Sequence, residues 1–225
     1  MISVIIPAFN EAKYLPATIQ SVRSQNPPHE IVVVCNGCTD GTEKLAKQLA
    51  DKVIILKERG VSKARNVGAQ QATYSNLVFL DADTKLTTGV LDGIMKHQGF
   101  GTARVTAESK KLKDKVFFAL KNLEHYAYSS SGLIFCSKDI FQKAGGFEES
   151  LSKFEDGRFL NRARKFGKFH IVKAPVMTST RRYEKKGYLG TALFWTKEYF
   201  LPSDQEYDAV RCGYHSLKSF LQMFL

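Results

Sequence analysis

Two aspartates separated by one residue are the first candidates for chemistry in this sequence. Asp81 and Asp83 flank Ala82 and come directly after the apolar run Leu77–Leu80. Two carboxylates this close repel each other unless something offsets their charge. A divalent cation such as Mg²⁺ or Mn²⁺ would do so, because it binds one or two protein carboxylates together with phosphate oxygens and water. The alternative is a solvated turn whose aspartates cap a helix; the position at a strand end favours the metal site.

The elements that must position these aspartates alternate along the first hundred residues. Short β-branched runs predict strands at 2–6, 30–35, 53–56 and 76–80, and helical spacing predicts helices at 11–25, 42–50, 61–73 and 88–97. Asn10 stands where the first helix would be N-capped, and Pro16 predicts either a kink or a late start of that helix. Four such units predict an α/β fold with a Rossmann-like, mostly parallel sheet and helices on both faces.

Polar clusters follow the predicted strands at the points where the strands end. They occupy residues 8–11, 36–40, 58–60 and 81–83. Because ligands of parallel α/β sheets bind at the carboxyl ends of the strands, these clusters are expected to lie together at a binding site.

The second half of the chain is less regular and carries most of the charge. The 225 residues have a net charge of +11; residues 1–100 contain 11 Lys+Arg and 9 Asp+Glu, and residues 101–225 contain 22 and 13. Strands are predicted at 101–108, 132–136 and 169–173, helices at 139–144 and 156–166, and a long basic amphipathic segment at 112–128. Residues 178–225 read as a basic, aromatic, helical extension that either packs on the domain or binds an anionic membrane.

Several function classes are disfavoured by the pattern. No zinc-finger or RNP-like motif accompanies the basic charge, and no G-x-G-x-x-G follows the first strand, so nucleic acid and dinucleotides are not expected partners. Cys35 and Cys38 form a Cys-x-x-Cys, but a second pair is missing, so we interpret them as loop residues rather than a zinc or redox centre. Neither a signal peptide nor an apolar run of transmembrane length is expected, and the predicted location is cytoplasmic.

Five motifs in order resemble glycosyltransferase family 2, the inverting transferases with an A-type glycosyltransferase fold. The resemblance runs from residue 1 to about residue 165. It is carried by segments 4–11 (VIIPAFNE), 33–42 (VVCNGCTDGT), 59–68 (RGVSKARNVG) and 81–83 (DAD), and by Gly145-Gly146-Phe147 with Glu155-Asp156. A weaker likeness covers residues 179–187.

The resemblance implies a nucleotide site on the first half of the chain. Implied nucleotide-binding residues are Pro7, Ala8, Asn10, Glu11, Asn36, Lys63, Arg65, Asp81 and Ala82. Asn36 offers both a donor and an acceptor where many relatives have aspartate, which leaves uridine as first choice and guanosine as second. Lys63 and Arg65 lie at a predicted helix N-terminus, where phosphate is favoured, so Arg65 is expected either to bind the diphosphate or to brace the Asp81–Asp83 region.

The same resemblance implies Mg²⁺ or Mn²⁺ on Asp83, with Asp81 contacting the metal, a metal-bound water or the ribose. Lys85 follows the motif and cannot ligate while charged, so a third ligand has to come from elsewhere, with His170 or water as options. Arg181 and Arg182 are predicted to close over the phosphates, the alternative for both being a solvated face.

Asp156 is the predicted general base, which would take the proton of an acceptor hydroxyl as the glycosidic bond forms. Glu155 is the neighbouring acid, either the true base or structural, and both are also favoured simply as acids at a helix start. An acceptor that is already an ionised phosphate would need no base, and Asp156 would then bind or orient it.

The sequence therefore predicts a metal-dependent, inverting glycosyltransferase that uses a nucleotide-sugar donor. A nucleotide-sugar-binding protein without turnover is the alternative. The predicted acceptor is a lipid-linked sugar, a lipid phosphate, a glycan or a small molecule. An anionic membrane surface and a second copy of the chain stay open as partners. Residues 1–100 are predicted as the nucleotide-sugar-binding half, 101–177 as the acceptor half of the same domain, and 178–225 as the extension.

Overall fold

The computed structural model describes residues 1–109, 111–125, 128–130, 132–151, 153–181 and 187. These residues form eight strands and seven helices. In chain order they are β1 Ile2–Ala8, α1 Leu15–Arg23, β2 His29–Asn36, α2 Thr42–Leu49, β3 Lys52–Leu56, α3 Val61–Gln71, β4 Asn76–Leu80, β5 Thr84–Leu86, α4 Val90–Met95, β6 Phe100–Ala107, α5 Leu112–Glu124, β7 Leu133–Ser137, α6 Lys138–Lys143, α7 Glu155–Ala163 and β8 Phe169–Thr178.

One eight-stranded sheet in the order β3-β2-β1-β4-β7-β6-β8-β5 forms the centre of the fold. Strands β3, β2, β1 and β4 are parallel neighbours, β7 is antiparallel to both β4 and β6, β8 is parallel to β6, and β5 is antiparallel to β8. Most strands therefore share one direction, and the predicted mostly parallel α/β sheet is confirmed.

Both faces of the sheet are covered by apolar clusters. Val4, Ile6 and Val33 belong to the cluster on one face, and Ile5, Val32 and Val34 belong to the cluster on the other. Strands buried on both sides need continuous β-branched runs, which is why β1 and β2 are so apolar. Gly68 lets α3 approach closely, because a Cβ there would lie 2.4 Å from Ile5 Cγ2.

The first helix departs from the prediction at its start. It begins at Leu15, with Tyr14 at the N-cap and Pro16 in the first turn. The late start is therefore correct and the prediction of Asn10 as N-cap is wrong. Proline is tolerated in a first turn but costs a hydrogen bond inside a helix, so the helix starts immediately before the proline. Asn10 instead has a left-handed backbone, with φ of +54°.

Two strands also differ from the prediction. Strand β5 lies within a stretch not predicted as strand; its three residues pair with the end of β8 and show no period of their own. Strand β8 continues five residues beyond its predicted end at Lys173, to Thr178. A register irregularity between Ala103 and Val105 lets it pass Pro175, since a bulge accommodates a residue that cannot donate to the ladder.

Among the residues that the structure describes, no helix is long and apolar enough to cross a membrane. The predicted extension lies outside the described residues except for 178–181 and 187. Its helical character and the division of the chain at residues 100 and 177 stay predictions.

Candidate functional site

The carboxyl ends of β1, β2 and β4 lie side by side and bring the predicted polar clusters to one edge of the sheet. Ala8 at the end of β1 is in register with Cys35 of β2, and β1 also pairs with β4. The loop after β1 carries Asn10 and Glu11, while Asp81 follows β4 directly. The edge is therefore where the predicted nucleotide and metal residues meet.

Hydrogen bonds lock the first two loops of this edge to each other. The Thr39 amide donates to Asn10 Oδ1 over 2.8 Å, and the amides of Ala12 and Thr42 donate to the Asp40 carboxylate over 3.2 and 2.9 Å. Slight desolvation of the exposed Asp40 works against its charge, but the hydrogen bonds from Thr42 and Ala12 outweigh it and lower the pKa of this carboxyl. Hydrogen bonds to short polar side chains therefore hold the two loops together.

Asn36 joins three segments from a buried position. Its Nδ2 donates to the Ala8 carbonyl over 3.0 Å, and its Oδ1 accepts from the Gly60 amide at 3.3 Å. The side chain is 3% exposed. Both ends of the amide are therefore used to fix β1, β2 and the start of α3 in relation to one another.

The other residues predicted to bind the nucleotide differ in their exposure to solvent. Pro7 and Ala8 are buried within β1. Lys63 projects from the first turn of α3 and pairs with Glu58 at 3.6 Å, with both side chains largely exposed. The structure thus brings Lys63 to a solvated ion pair rather than to the acids after β4.

Arg65 lies at the centre of three carboxylates from two distant parts of the chain. Its guanidinium donates to Asp81 over 3.1 Å, to Glu155 over 3.0 Å and to Asp156 over 2.6 Å. The Arg65 side chain is 6% exposed. Burial opposes its charge, but the three acids outweigh burial and raise the pKa of the guanidinium further. A buried cation in contact with three acids is the feature that joins the Asp81 loop to α7.

Asp156 is held through both of its carboxylate oxygens. Arg65 donates to Oδ1, and the Ser130 hydroxyl donates to Oδ2 over 2.7 Å. Both acids lie in the first turn of α7, as predicted from the sequence. The Asp156 side chain is 26% exposed and the Glu155 side chain 14%, so Asp156 presents more of its carboxylate to the edge.

Glu155 has an unusual protonation equilibrium. Burial raises the pKa of its carboxyl to about 7, the nearby charge of Asp156 acts in the same direction, and Arg65 acts against both. The folded protein therefore holds a proton on Glu155 at pH values where the unfolded chain, with an ordinary glutamate pKa, has released it.

This difference predicts a pH-dependent stability. Because the folded state binds more protons between the ordinary glutamate pKa of 4.5 and the raised pKa of about 7, stability falls as the pH rises through that window. In the wild type this fall should amount to roughly 1–3 kcal/mol in the free energy of unfolding, and Glu155→Gln is expected to flatten it. Urea unfolding across the window measures it. Glu58→Gln, at a largely exposed carboxyl, is the matched control and should leave the slope as it is.

Arg181 closes the other side of the edge. Its guanidinium donates to both oxygens of Glu11 and pairs with Asp83 Oδ2 at 3.0 Å, while it stacks over the Tyr14 ring at 4.7 Å. The structure thus brings Arg181 to Asp83, one of the two predicted metal ligands. Arg182, its predicted companion, lies outside the described residues.

The turn that carries the two aspartates is fixed by backbone contacts. The Asp81 amide donates to the Gly132 carbonyl over 2.9 Å, and the Thr18 hydroxyl donates to the Ala82 carbonyl over 2.8 Å. Ala82 is buried, whereas the Asp81 and Asp83 side chains reach solvent to 41% and 19%. Carboxylate oxygens in this number suit Mg²⁺ or Mn²⁺, which take their remaining ligands from phosphate and water.

Among the residues described, no group of three or more His, Cys, Asp and Glu could hold a metal ion. The prediction of His170 as a third ligand is wrong, because this residue lies at the amino end of β8, at the opposite edge of the sheet from Asp81. Its ring stacks on that of His97, with ring centroids 4.3 Å apart.

In the Cys-x-x-Cys segment, burial raises the pKa of the Cys35 thiol to about 12, with Cys38 acting in the same direction. A thiol in that state is a poor metal ligand at neutral pH.

Two positioning residues were missed by the sequence reasoning. Ser130 contacts Asp156, and it lies in an irregular stretch that carries no motif. Asn66 holds the backbone of Phe147: its Nδ2 donates to the Phe147 carbonyl and its Oδ1 accepts from the Phe147 amide, each over 2.8 Å. A signal existed for Asn66, since it lies in the motif at residues 59–68 and its partner Phe147 lies in the Gly145-Gly146-Phe147 motif.

Most of the chain matches a known protein family. Residues 3–168 match the family described as "Glycosyl transferase family 2". Glycosyltransferase AglE of Haloferax volcanii is 40% identical in an alignment of 91 positions that covers 36% of this chain and 30% of AglE. The chain therefore matches less than a third of that relative's length.

Solved structures share the fold at low sequence identity. The UDP-GlcNAc complex of S. aureus TarS superposes with a TM-score of 0.65 at 21% identity, over 79% of this chain and 58% of that one. The mannosyltransferase PcManGT from Pyrobaculum calidifontis, in complex with GDP-Man and Mn²⁺, gives 0.67 at 19% identity, over 97% and 69%. These likenesses support the A-type glycosyltransferase fold.

Proposed function

Because the chain belongs to glycosyltransferase family 2, we propose that it is a metal-dependent, inverting glycosyltransferase that moves a sugar from a nucleotide diphosphate to an acceptor. The observation that carries the proposal is the contact of Arg65 with Asp81 on one side and with Glu155 and Asp156 on the other. This contact joins the nucleotide and metal motif to the acceptor motif in one site.

The nucleotide would lie on the two locked loops at the ends of β1 and β2. Residues 7–11 offer backbone groups and the Glu11 carboxylate, which suit base and ribose recognition. Asn36 would act by holding Ala8 and Gly60 in place, since both ends of its amide are already used. UDP-sugars are the first choice of donor and GDP-sugars the second; TarS and PcManGT, which share the fold, are complexed with UDP-GlcNAc and GDP-Man.

Asp83, with Asp81, would hold Mg²⁺ or Mn²⁺. When bound, the metal supplies positive charge that stabilises the departing diphosphate. Arg181, now paired with Asp83 and Glu11, is placed to donate to phosphate oxygens of a bound donor, because a guanidinium binds phosphate through two parallel hydrogen bonds. Arg65 would brace Asp81 and α7, since its donors already contact three acids.

Asp156 would take the proton of an acceptor hydroxyl as that oxygen attacks the anomeric carbon opposite the leaving diphosphate. Arg65 and Ser130 fix both of its oxygens, which sets the direction of the carboxylate. Glu155 is less suited to the role, because it is more buried and holds its own proton near neutral pH. Its place against Arg65 supports a structural role.

The acceptor would be a lipid-linked sugar, a glycan or a small molecule, and a lipid phosphate would react without a base. A cytoplasmic location, peripheral attachment to an anionic membrane and a homodimer stay predictions, as does membrane contact by the extension at residues 178–225.

Donor and metal can be tested together by thermal unfolding. A bound donor should raise the unfolding temperature of the full chain by mass action, so UDP- and GDP-sugars are compared with and without Mn²⁺. Asp83→Asn should remove the part of this temperature increase that depends on Mn²⁺. The expected loss in metal affinity is at least roughly 10–100-fold, which is typical when a group that merely supports a metal ligand is removed. The unfolding temperatures of the unliganded variant and wild type are compared first, because Asp83 also contacts Arg181 and its loss can change stability by itself.

The control variant is Asp139→Asn, at a largely exposed carboxyl of α6. It should leave donor and metal binding unchanged. Mn²⁺-dependent binding that survives in Asp83→Asn would count against the metal assignment. Binding of a donor without any transfer or hydrolysis, across a panel of acceptors, would favour the binding protein without turnover.

A further inference from the structure

Helix α5 exposes a continuous apolar stripe. Leu112, Val116 and Leu120 are 76%, 52% and 60% exposed, and their spacing of four residues puts them on one side of the helix. The other large apolar side chains that are exposed among the described residues lie in separate parts of the chain: Met1, Leu49, Ile55, Met95 and Phe166. Single exposed apolar residues are ordinary, whereas a continuous patch indicates an interaction surface.

The opposite side of α5 fixes which way the stripe faces. Phe118 and Asp114 are buried. The Asn122 side chain forms two hydrogen bonds with Val105 of β6: its Oδ1 accepts from the Val105 amide over 2.7 Å, and its Nδ2 donates to the Val105 carbonyl over 2.9 Å. The helix is therefore anchored to the sheet, and the stripe faces away from the core.

Lysines border the stripe on both sides. At 100° per residue, Lys113 lies 20° beyond Leu120 on one side, and Lys115 lies 60° from Leu112 on the other. Lys111, Lys113 and Lys115 are exposed, while the acid in the first turn, Asp114, is on the buried side. An apolar centre with a cationic border matches an anionic lipid surface, where lysine stems lie along the acyl boundary and the ammonium groups reach the headgroups.

We propose that α5 lies in the plane of an anionic membrane interface, with Leu112, Val116 and Leu120 inserted at the acyl boundary. A second copy of the chain is a poorer occupant, because an isologous contact through this stripe would bring the two lysine borders close together. The border thus favours lipid over self-association.

The proposal also fits the position of α5 relative to the site. The helix follows Ala107, at the carboxyl end of β6, and is followed by the segment that carries Ser130 and Gly132, which contact Asp156 and Asp81. Both ends of α5 thus connect to the edge that holds the candidate site. A helix bound in this way would hold that edge close to the membrane, as a lipid-linked acceptor requires; in this respect the inference rests on the proposed function.

Vesicle flotation of the full chain tests the proposal without any transfer reaction, so its outcome is independent of the donor and metal assignments. The chain is expected to float with phosphatidylcholine vesicles that contain phosphatidylglycerol and not with phosphatidylcholine alone. The triple variant Leu112→Ser, Val116→Ser, Leu120→Ser should lower the partition coefficient roughly tenfold or more. Lys113→Gln with Lys115→Gln should also weaken binding, and added salt should then have less effect.

A matched triple variant, Leu49→Ser, Ile55→Ser and Met95→Ser, removes exposed apolar groups elsewhere and should bind as the wild type does. Circular dichroism reports whether each variant folds, and the single variant Val116→Glu provides a second test if a triple does not. The proposal is overturned if the wild type does not float, if both α5 variants float as it does, or if sedimentation shows a dimer that these variants dissociate.

Discussion

Replacing Arg65 with Met is expected to lower the free energy of unfolding by about 3–5 kcal/mol at neutral pH. The variant keeps the volume and apolar stem of the side chain but leaves three acids around a buried position without the cation that offsets them. Asp81, Glu155 and Asp156 contact that one guanidinium at 3.1, 3.0 and 2.6 Å. Removing one partner of a buried ion pair costs more stability than the intact pair contributes, because the remaining charges stay desolvated without a counter-charge. Urea unfolding measures the difference.

Two comparisons separate this electrostatic cause from lost packing. Arg65→Lys keeps the charge but cannot donate to three carboxylates in a plane, so an intermediate loss is expected. Lys63→Met, two residues earlier on the same helix, removes an exposed cation and should change stability by less than about 0.5 kcal/mol. Acidification should narrow the gap between Arg65→Met and the wild type, because protonated acids no longer repel. A gap that does not narrow would contradict the ionic explanation.

The sheet and the edge of the site could be predicted because their signals are local. β-Branched runs buried on both faces identify β1, β2 and β4 without further context, and the polar residues that follow each run define the carboxyl edge. The start of α1 needed one more piece of information, since the pattern of Pro16 allowed either a kink or a late start. Strand β5 carried no local signal, because three residues show no period and pair only with a distant strand.

The contacts within the site were less predictable, since they join residues far apart in the chain. The motifs identified Arg65 and Asp156 separately, but their contact spans 91 positions and follows from the packing of α3 and α7 on the sheet. Ser130 had no sequence signal, because one hydroxyl in an irregular segment resembles any surface serine. Arg181 was predicted to meet phosphate; its contact with Asp83 and Glu11 depends on where β8 ends, five residues later than its pattern indicated.

Replacing Asp156 with Asn is expected to lower kcat by about 10²-fold or more when the acceptor is a hydroxyl. The amide keeps the size of the side chain but cannot take the proton of the attacking oxygen. Donor affinity should change little, because the Asp156 carboxylate contacts Arg65 and Ser130 rather than the loops after β1 and β2. The measurement is transfer at saturating donor and metal, with donor affinity and unfolding free energy determined in parallel. The stability data matter because the variant also weakens one charge contact of Arg65.

Three further variants show whether a loss of kcat in Asp156→Asn reflects the loss of a general base. Glu155→Gln keeps the hydrogen-bonding shape of a carboxyl that already holds a proton near neutral pH, so its effect on kcat should be much smaller than that of Asp156→Asn. Ser130→Ala frees the direction of Asp156 and should lower kcat while leaving donor affinity unchanged. Asp156→Glu retains a base and should recover part of the rate. If Asp156→Asn keeps full activity toward a lipid phosphate but not toward a hydroxyl, the acceptor supplies its own nucleophile, and the carboxylate serves to orient it.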